Sequence, residues 1–390
     1  MPVWNWQLPE WPSFRFDAHR LAAAEEQFAQ GAGALAAVIR HAEPEAAERV
    51  YIERMADEAV TTSTIEGETL ARESVQSSVR RALGLSTPDP VATPAERGIA
   101  ELMVDVCRTF ADPLDAGTLL RWHRMVMRGR PDMAVMADVG AWRTHPEPMQ
   151  VVSGRIDFPT VHFEAPPASR VPAEMNRLLD WFDRTAGGAL QVRTLARAGI
   201  AHLWFESIHP FSDGNGRIGR ALSEKALAQA MERPTLTALS PTILARRKEY
   251  YAALAAASRA MDCTDWLAWF AGIALEAQLR AVAEVDFIVE KARFFARVAG
   301  GLNVRQEKGL LRMLEAGSAG FEGGMTAGKY ISITRSSPAT ATRDLSDLVE
   351  MGALERHGAR RHVRYRLTVA TRRVPRMVVD ADGRVRAVEG

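Results

Sequence analysis

His209-Pro-Phe-Ser-Asp-Gly-Asn-Gly-Arg-Ile-Gly-Arg220 gathers a base, a carboxylate, three glycines, an amide and two arginines between two stretches of helical periodicity. Gly214, Asn215 and Gly216 can turn backbone N–H groups inward at a helix N-terminus, where unpaired amides and the helix dipole favour a phosphate. Arg217 and Arg220 lie three apart on the first turn of that helix, so both guanidiniums reach one polyphosphate. Asp213, just before the nest, is a hard oxygen donor suited to a magnesium ion bridging phosphates. His209 titrates near neutrality and can take a proton from an incoming hydroxyl. Pro210 fixes its own backbone and Phe211 anchors the loop in the core. Asn-Gly alone marks only a turn; the coincidence of chemically matched residues carries the reading.

Outward from this loop the chain reads as mainly α. Apolar residues recur at helical spacing over residues 19–51, 54–65, 73–83, 95–110, 115–127, 171–185, 190–205, 216–231, 246–260 and 265–298. A turn-rich link, Ser86-Thr-Pro-Asp-Pro-Val-Ala-Thr-Pro94, interrupts the series. Between Gly140 and Pro167 the composition shifts, and Met149-Gln-Val-Val152, a Ser153-Gly154 turn and Arg155-Ile-Asp-Phe158 predict a hairpin. Trp4, Trp6, Pro9, Trp11, Pro12, Phe14 and Phe16 predict an extended hydrophobic strap laid over a later surface.

A chain of 390 residues implies about two to three domains. Its 47% hydrophobic and 25% charged residues are the balance of a folded protein. There is no apolar run of roughly eighteen residues and no basic-then-apolar leader, so a cytoplasmic protein without membrane contact is expected. Cys107 and Cys263 stand far apart without metal-spaced partners, which excludes a disulfide framework or structural zinc. The net charge of +1 is unevenly spread: residues 305–376 hold 14 Lys and Arg against 7 Asp and Glu.

The dodecamer resembles the Fic motif, H-P-F-x-D-G-N-G-R-x-x-R, at every defining position, over roughly residues 95–271. Proteins of that family mostly move AMP from ATP onto a Ser, Thr or Tyr hydroxyl of a target protein and release pyrophosphate. The resemblance implies His209 as general base and Asp213 as the Mg2+ ligand. It implies Gly214, Asn215 and Gly216 as the α- and β-phosphate cradle, Arg217 on the phosphates and Arg220 on the γ-phosphate. The hairpin around residues 149–166 is similar to the family's flap, which holds a target segment by strand addition. Tyr250 and Tyr251 stand where similar proteins place an aromatic pair beside the adenine. Seven residues past Tyr251, where several relatives have an amide, this chain has Ser258.

Thr62-Ser-Thr-Ile-Glu66-Gly67 fits the family's inhibitory motif, S/T-x-x-x-E-G/N, at a helix end where Gly67 is the breaker. A carboxylate from Glu66 on Arg220 would hold the guanidinium that orders the γ-phosphate, leaving ATP misaligned. In some members this glutamate also positions water to remove AMP, and the sequence leaves both roles open. Residues 300–376 predict helices near 306–315, 326–332 and 338–351, then strands over 354–357 and 363–367, a pattern resembling a winged helix-turn-helix. Ser336, Ser337, Thr340, Thr342 and Arg343 would start its recognition helix, with Arg360, Arg361, Arg364 and Arg366 on the wing. Such a module contacts DNA, docks a protein or serves structure alone.

The expected fold is mainly α, a Fic helical core with a β-hairpin flap plus a C-terminal winged helix. Its divisions are an N-terminal Trp/Pro-rich and helical segment (1–94), the catalytic domain (95–299), the winged-helix module (300–376) and a loosely ordered tail (377–390). The expected function is an autoinhibited, Mg2+-dependent protein adenylyltransferase using ATP on a target protein, and the family implies a homodimer. The alternative is a nucleotide-sensing, DNA-binding transcriptional regulator.

Overall fold

The computed structural model describes residues 3–41, 44–87, 92–130, 138–155, 158–186, 192–235, 237–317, 320–359, 362–369 and 373–388. The described helices are α1 (Ala18–His41), α2 (Pro44–Ile65), α3 (Arg72–Ala82), α4 (Pro94–Arg108), α5 (Ala116–Val126), α6 (Val171–Arg184), α7 (Thr194–Ile208), α8 (Asn215–Ala230), α9 (Leu239–Ala245), α10 (Arg247–Ala257), α11 (Thr264–Val298), α12 (Val304–Leu314), α13 (Ala327–Thr334) and α14 (Pro338–Glu350). The strands are β1 (Gln150–Arg155), β2 (Phe158–Glu164), β3 (Leu354–His357), β4 (Arg364–Leu367), β5 (Arg376–Val379) and β6 (Val385–Val388), paired as three antiparallel hairpins. Two units divide the chain: Met1–Ala34, Tyr51–Gln278 and Arg376–Gly390 form one, and Leu35–Val50 with Leu279–Pro375 the other. No described helix is long and apolar enough to cross a membrane.

In the first unit α7 and α8 are buried along nearly their whole lengths, α7 because it carries apolar residues on every face. The polar exceptions are paired: the Arg197 guanidinium, for one, donates to the Phe182 and Ala226 carbonyls at 2.8 and 3.2 Å. This pair carries the 209–214 loop between its two helices. α4 starts on a capping box in which Thr93 Oγ1 accepts from the Glu96 amide and Glu96 accepts from the Thr93 amide.

The N-terminal aromatics form the expected strap. Trp4 meets Phe163 edge-on at 5.3 Å, Trp6 Nε1 donates to the Glu164 carbonyl at 2.6 Å, and Trp11 Nε1 donates to Glu174 at 2.9 Å. The strap thereby ties the hairpin's base to α6, and it is not wholly extended, since Asn5–Gln7 makes one 3-10 turn.

Three elements differ from expectation. Ser153 and Gly154 lie inside β1, opposite Thr160 and Pro159, and the ladder runs on to Arg155 opposite Phe158. A bulge between Val151 and Val152 sets this longer register, which pairs Val151 with Phe163 and Val152 with Val161. Helix α9 was not foreseen. The end expected as a loose tail is instead the β5–β6 hairpin, turned at Gly383 (φ 78°). Met377 and Val379 are buried, the Met377 carbonyl passes so close to Gly272 that a Cβ there would lie at 2.7 Å, and Arg376 pairs with Glu249 at 2.8 Å.

The second unit packs Phe294, Leu310, Tyr330, Leu345, Leu348 and Leu354 into its own core. Buried Asp344 accepts from Arg305 Nε (2.9 Å), Asn303 Nδ2 (3.2 Å) and the Tyr330 hydroxyl (3.1 Å), which joins α12, α13 and α14. β3 pairs with β4, and Met325 and Tyr365 exchange two 2.8 Å backbone hydrogen bonds on the other edge of β4.

Candidate active site

Helix α7 stops at His209, whose left-handed backbone (φ 50°, ψ 61°) turns the chain into the loop. Phe211 is fully buried and stacks on His123 at 4.0 Å. Asn215 closes the loop on itself: Oδ1 accepts from the Phe211 amide at 3.0 Å and Nδ2 donates to the Phe211 carbonyl at 2.8 Å. Its side chain is therefore committed to shaping the loop, and any part in a phosphate cradle falls to its backbone. Gly214 takes φ 86° at the N-cap of α8, with room for no more than a Cβ at 3.1 Å from Val126. Arg143, not foreseen, braces the loop by donating to the His209 carbonyl at 2.8 Å and the Pro166 carbonyl at 2.5 Å.

His209 opens onto a cavity of about 600 Å³ bounded by the loop, the β1–β2 hairpin and α10. Burial, with the Arg143 charge behind it, pulls its imidazole from 6.5 down to about 4. The ring is thus neutral, and able to accept a proton, across the physiological range. Glu206, whose carboxylate lies 3.8 Å from His209 Nδ1, is pushed up to about 8 by burial and by the nearby Glu66 charge.

The arginines of α8 meet the end of α2. Arg220, 1% exposed, donates from Nε to Thr62 Oγ1 (2.7 Å) and from Nη2 to the Thr62 carbonyl (3.0 Å) and Glu66 Oε1 (2.7 Å). Burial alone would lower the Arg220 pKa, but the charge of Glu66 and its hydrogen bond reverse the direction. Gly216 makes the approach possible, because a Cβ there would fall 2.2 Å from Glu66 Oε1. Gly67, at φ 84°, ends the helix as expected.

Arg217 pairs with Asp213 at 3.2 Å and with Glu68 at 3.0 Å, and Arg130 pairs with the same two carboxylates at 2.7 and 2.9 Å. Glu68 and Arg130 are residues that sequence reasoning missed; only the spacing Glu66-Gly67-Glu68 hints at the first. Asp213 is 39% exposed, and the described residues contain no cluster of three metal-binding side chains. Asp213 is the loop carboxylate that would hold a magnesium ion, which on nucleotides generally needs only one protein carboxylate.

The tyrosine pair divides. Tyr250 is buried, with its hydroxyl 2.9 Å from His202 Nε2, whereas Tyr251 is 40% exposed in the cavity with Arg247 over its ring at 5.6 Å. Ser258 turns its hydroxyl back onto the Ala255 carbonyl at 2.9 Å. Val151 and Val152 of β1 are exposed on the cavity's rim. In the second unit Ser337 caps α14 by accepting from the Thr340 amide, and Thr342 donates to the Pro338 carbonyl, so both hydroxyls serve the helix. Ser336 accepts from Thr334 Oγ1 at 2.9 Å; Arg343 and Arg366 are exposed, Arg364 is half-buried, and Arg360 and Arg361 lie outside the described residues.

A helical domain thus sets a glycine-capped helix start, two buried arginines and a buried histidine side by side, a geometry that suits a phosphate. Residues 113–227 match the Fic/DOC family, so the chain contains a domain of that family. Residues 4–85 match a domain of unknown function, DUF4172. A crystal structure of a Fic family protein from Desulfovibrio desulfuricans superposes with a TM-score of 0.51 at 23% identity, covering 93% of this chain and 99% of that one. A Fic domain containing signaling protein from Bacteroides thetaiotaomicron gives 0.49 at 17% identity, covering 67% and 97%. A fragment of Fic-1 from C. elegans gives 0.46 at 22% identity, covering 67% and 72%.

The imidazole of His209, one of nine histidines, should titrate near pH 4 when followed by NMR and assigned by its loss in His209→Ala. A midpoint at 6 or above would contradict the buried, neutral base.

Proposed function

We propose that this chain is a protein adenylyltransferase restrained by the end of α2. The carrying observation is that Arg220 has three of its hydrogen bonds to Thr62 and Glu66, two of the three signature residues of the inhibitory motif. In this reading a target hydroxyl attacks the α-phosphorus of ATP, its proton passes to the neutral imidazole of His209, and the bond to the β-bridging oxygen breaks to release pyrophosphate. The backbone amides of Gly214, Asn215 and Gly216 at the N-terminus of α8 receive phosphate oxygens. Arg217 and Arg220 hold the outer phosphates, and the exposed ring of Tyr251 gives the base a stacking face. Asp213 would hold Mg2+, which supplies charge neutralisation between phosphates when bound. The free edge of β1, with Val151 and Val152, suits a target segment added as a strand.

With Glu66 on Arg220, the guanidinium needed by the γ-phosphate is engaged. Charge-assisted hydrogen bonds of this kind contribute about 1.5–3 kcal/mol, which suppresses the competent state about 10- to 150-fold. Incubation with Mg2+ and α-labelled ATP should therefore give about 10- to 150-fold more labelled protein with Glu66→Gly than with wild type. Thr62→Val should fall between them, and Glu66→Gly/His209→Ala should give no label. Equal labelling by wild type and Glu66→Gly would remove the brake, and label in the double variant would remove His209 as base.

For the second unit, three helices followed by a strand pair with a further strand contact support a winged helix, and its excess of arginine supports contact with DNA. Full-length protein should retain duplex DNA at low salt and release it as salt rises, with retention weakened by Arg343→Ala/Arg366→Ala. No retention at low salt would leave the module to protein docking.

A further inference from the structure

We infer that Arg130 is a third arginine of the triphosphate site, and that Glu68 holds a phosphate-oxygen seat between Arg130 and Arg217. The inference rests on the nucleotide reading above and extends it beyond the motif. Arg130, Asp213, Arg217 and Glu68 form a closed ring of alternating charge, with contacts of 2.7, 3.2, 3.0 and 2.9 Å taken in order around it. A single atom, Glu68 Oε2, accepts from both guanidiniums. An oxygen gripped by two arginines is how proteins generally seat a phosphate oxygen.

The position of Glu68 follows from how α2 ends. The Gly67 amide donates to the Thr64 carbonyl at 3.0 Å and the Glu68 amide to the Ser63 carbonyl at 3.0 Å, with Gly67 left-handed between them. This is a Schellman ending, and it fixes the residues on either side of the glycine together. One helix end thus delivers two carboxylates, Glu66 to Arg220 and Glu68 to Arg217 and Arg130.

The carboxylates leave donors over. Among the described residues, Arg217 Nε, Arg220 Nη1 and Arg130 Nε are buried without a hydrogen-bond partner, and Arg217 and Arg220 are each only 1% exposed. Buried N–H groups are normally satisfied, and a phosphate chain brings several acceptor oxygens where each carboxylate brings two. Entry of phosphate would exchange Glu68 for phosphate oxygens, and a divalent cation on Asp213 would release the second bond of Arg130. Arg130 then faces the phosphates with both arms, while Glu66→Gly alone leaves Glu68 in its seat.

The test is binding of inorganic tripolyphosphate with Mg2+ to the full chain by calorimetry, with adenosine as control. Glu68→Gln should tighten tripolyphosphate about 10-fold in both wild-type and Glu66→Gly backgrounds. In the Glu66→Gly background Arg130→Gln should weaken it about 10-fold or more, with Arg130→Lys between, and adenosine affinity should not move. Unchanged anion affinity in Arg130→Gln or in Glu68→Gln would overturn the inference, as would a parallel loss of adenosine binding. AMP transfer, read separately by labelling, keeps the two readings apart. The expected anion pattern without any transfer would sink the transferase and leave Arg130 assigned; transfer with unaltered anion affinity would sink Arg130 alone.

Discussion

A guanidinium removed from water must keep its charge and find acceptors, and those that Arg220 finds come from Thr62 and Glu66 at the end of one helix. That requirement organises α2. Arg54, Glu58, Thr62 and Glu66 recur every four residues, so they share a face, and each is bound there. Arg54 donates to the Thr237 carbonyl at 2.6 Å, Glu58 accepts from the Ser240 amide at 2.8 Å, and Thr62 and Glu66 hold Arg220. Arg54, Glu58 and Thr62, which hydrophobic burial would leave outside, are buried because their partners are fixed in the core, while Glu66 at the end of the stripe keeps some exposure. The arginines at the start of α8 are therefore held by the chain's own carboxylates.

The same burial sets the chemistry. Low polarity around His209 keeps the imidazole neutral, and around Glu206 it favours the protonated acid, with Glu66 adding to that effect. Removing Glu66 would change both the arginine's partners and the field felt by these two groups. The proposed restraint would thus be electrostatic as well as steric, acting on residues of α7 and α8 from the end of α2.

The loop from His209 to Arg220 is readable in the sequence because its chemistry is local: carboxylate, nest and arginines all fall between Asp213 and Arg220. Thr62 and Glu66 are readable only through their match to the inhibitory motif of the family that the loop resembles. What escaped depends on contacts between distant segments. Helix α9 starts on amides held by Glu224 and Glu58, the Leu239 and Ser240 N–H groups donating at 2.8 Å each, and no neighbouring residue signals that cap. Arg143 and Arg130 are ordinary arginines until the fold places them on the loop and on Asp213. Asn215 looked like a phosphate ligand but spends its amide on Phe211. The hairpin turn was misplaced because Ser-Gly is a good local turn, while the packing of Phe163 under Trp4 favours the longer ladder. The terminal strands carried an Asp-Gly turn signal at Asp382-Gly383, and only their docking on Gly272 and Glu249 makes them stable structure.

The central claim is that the carboxylates of α2 and the phosphates of ATP compete for one set of arginines. A crystal structure of Glu66→Gly with Mg2+ and a non-hydrolysable ATP analogue tests it most directly. The account predicts the triphosphate at the N-terminus of α8, with Arg220 released from Thr62 onto the γ-phosphate. A nucleotide bound elsewhere, or Arg220 still held by Thr62 beside a bound triphosphate, would contradict it.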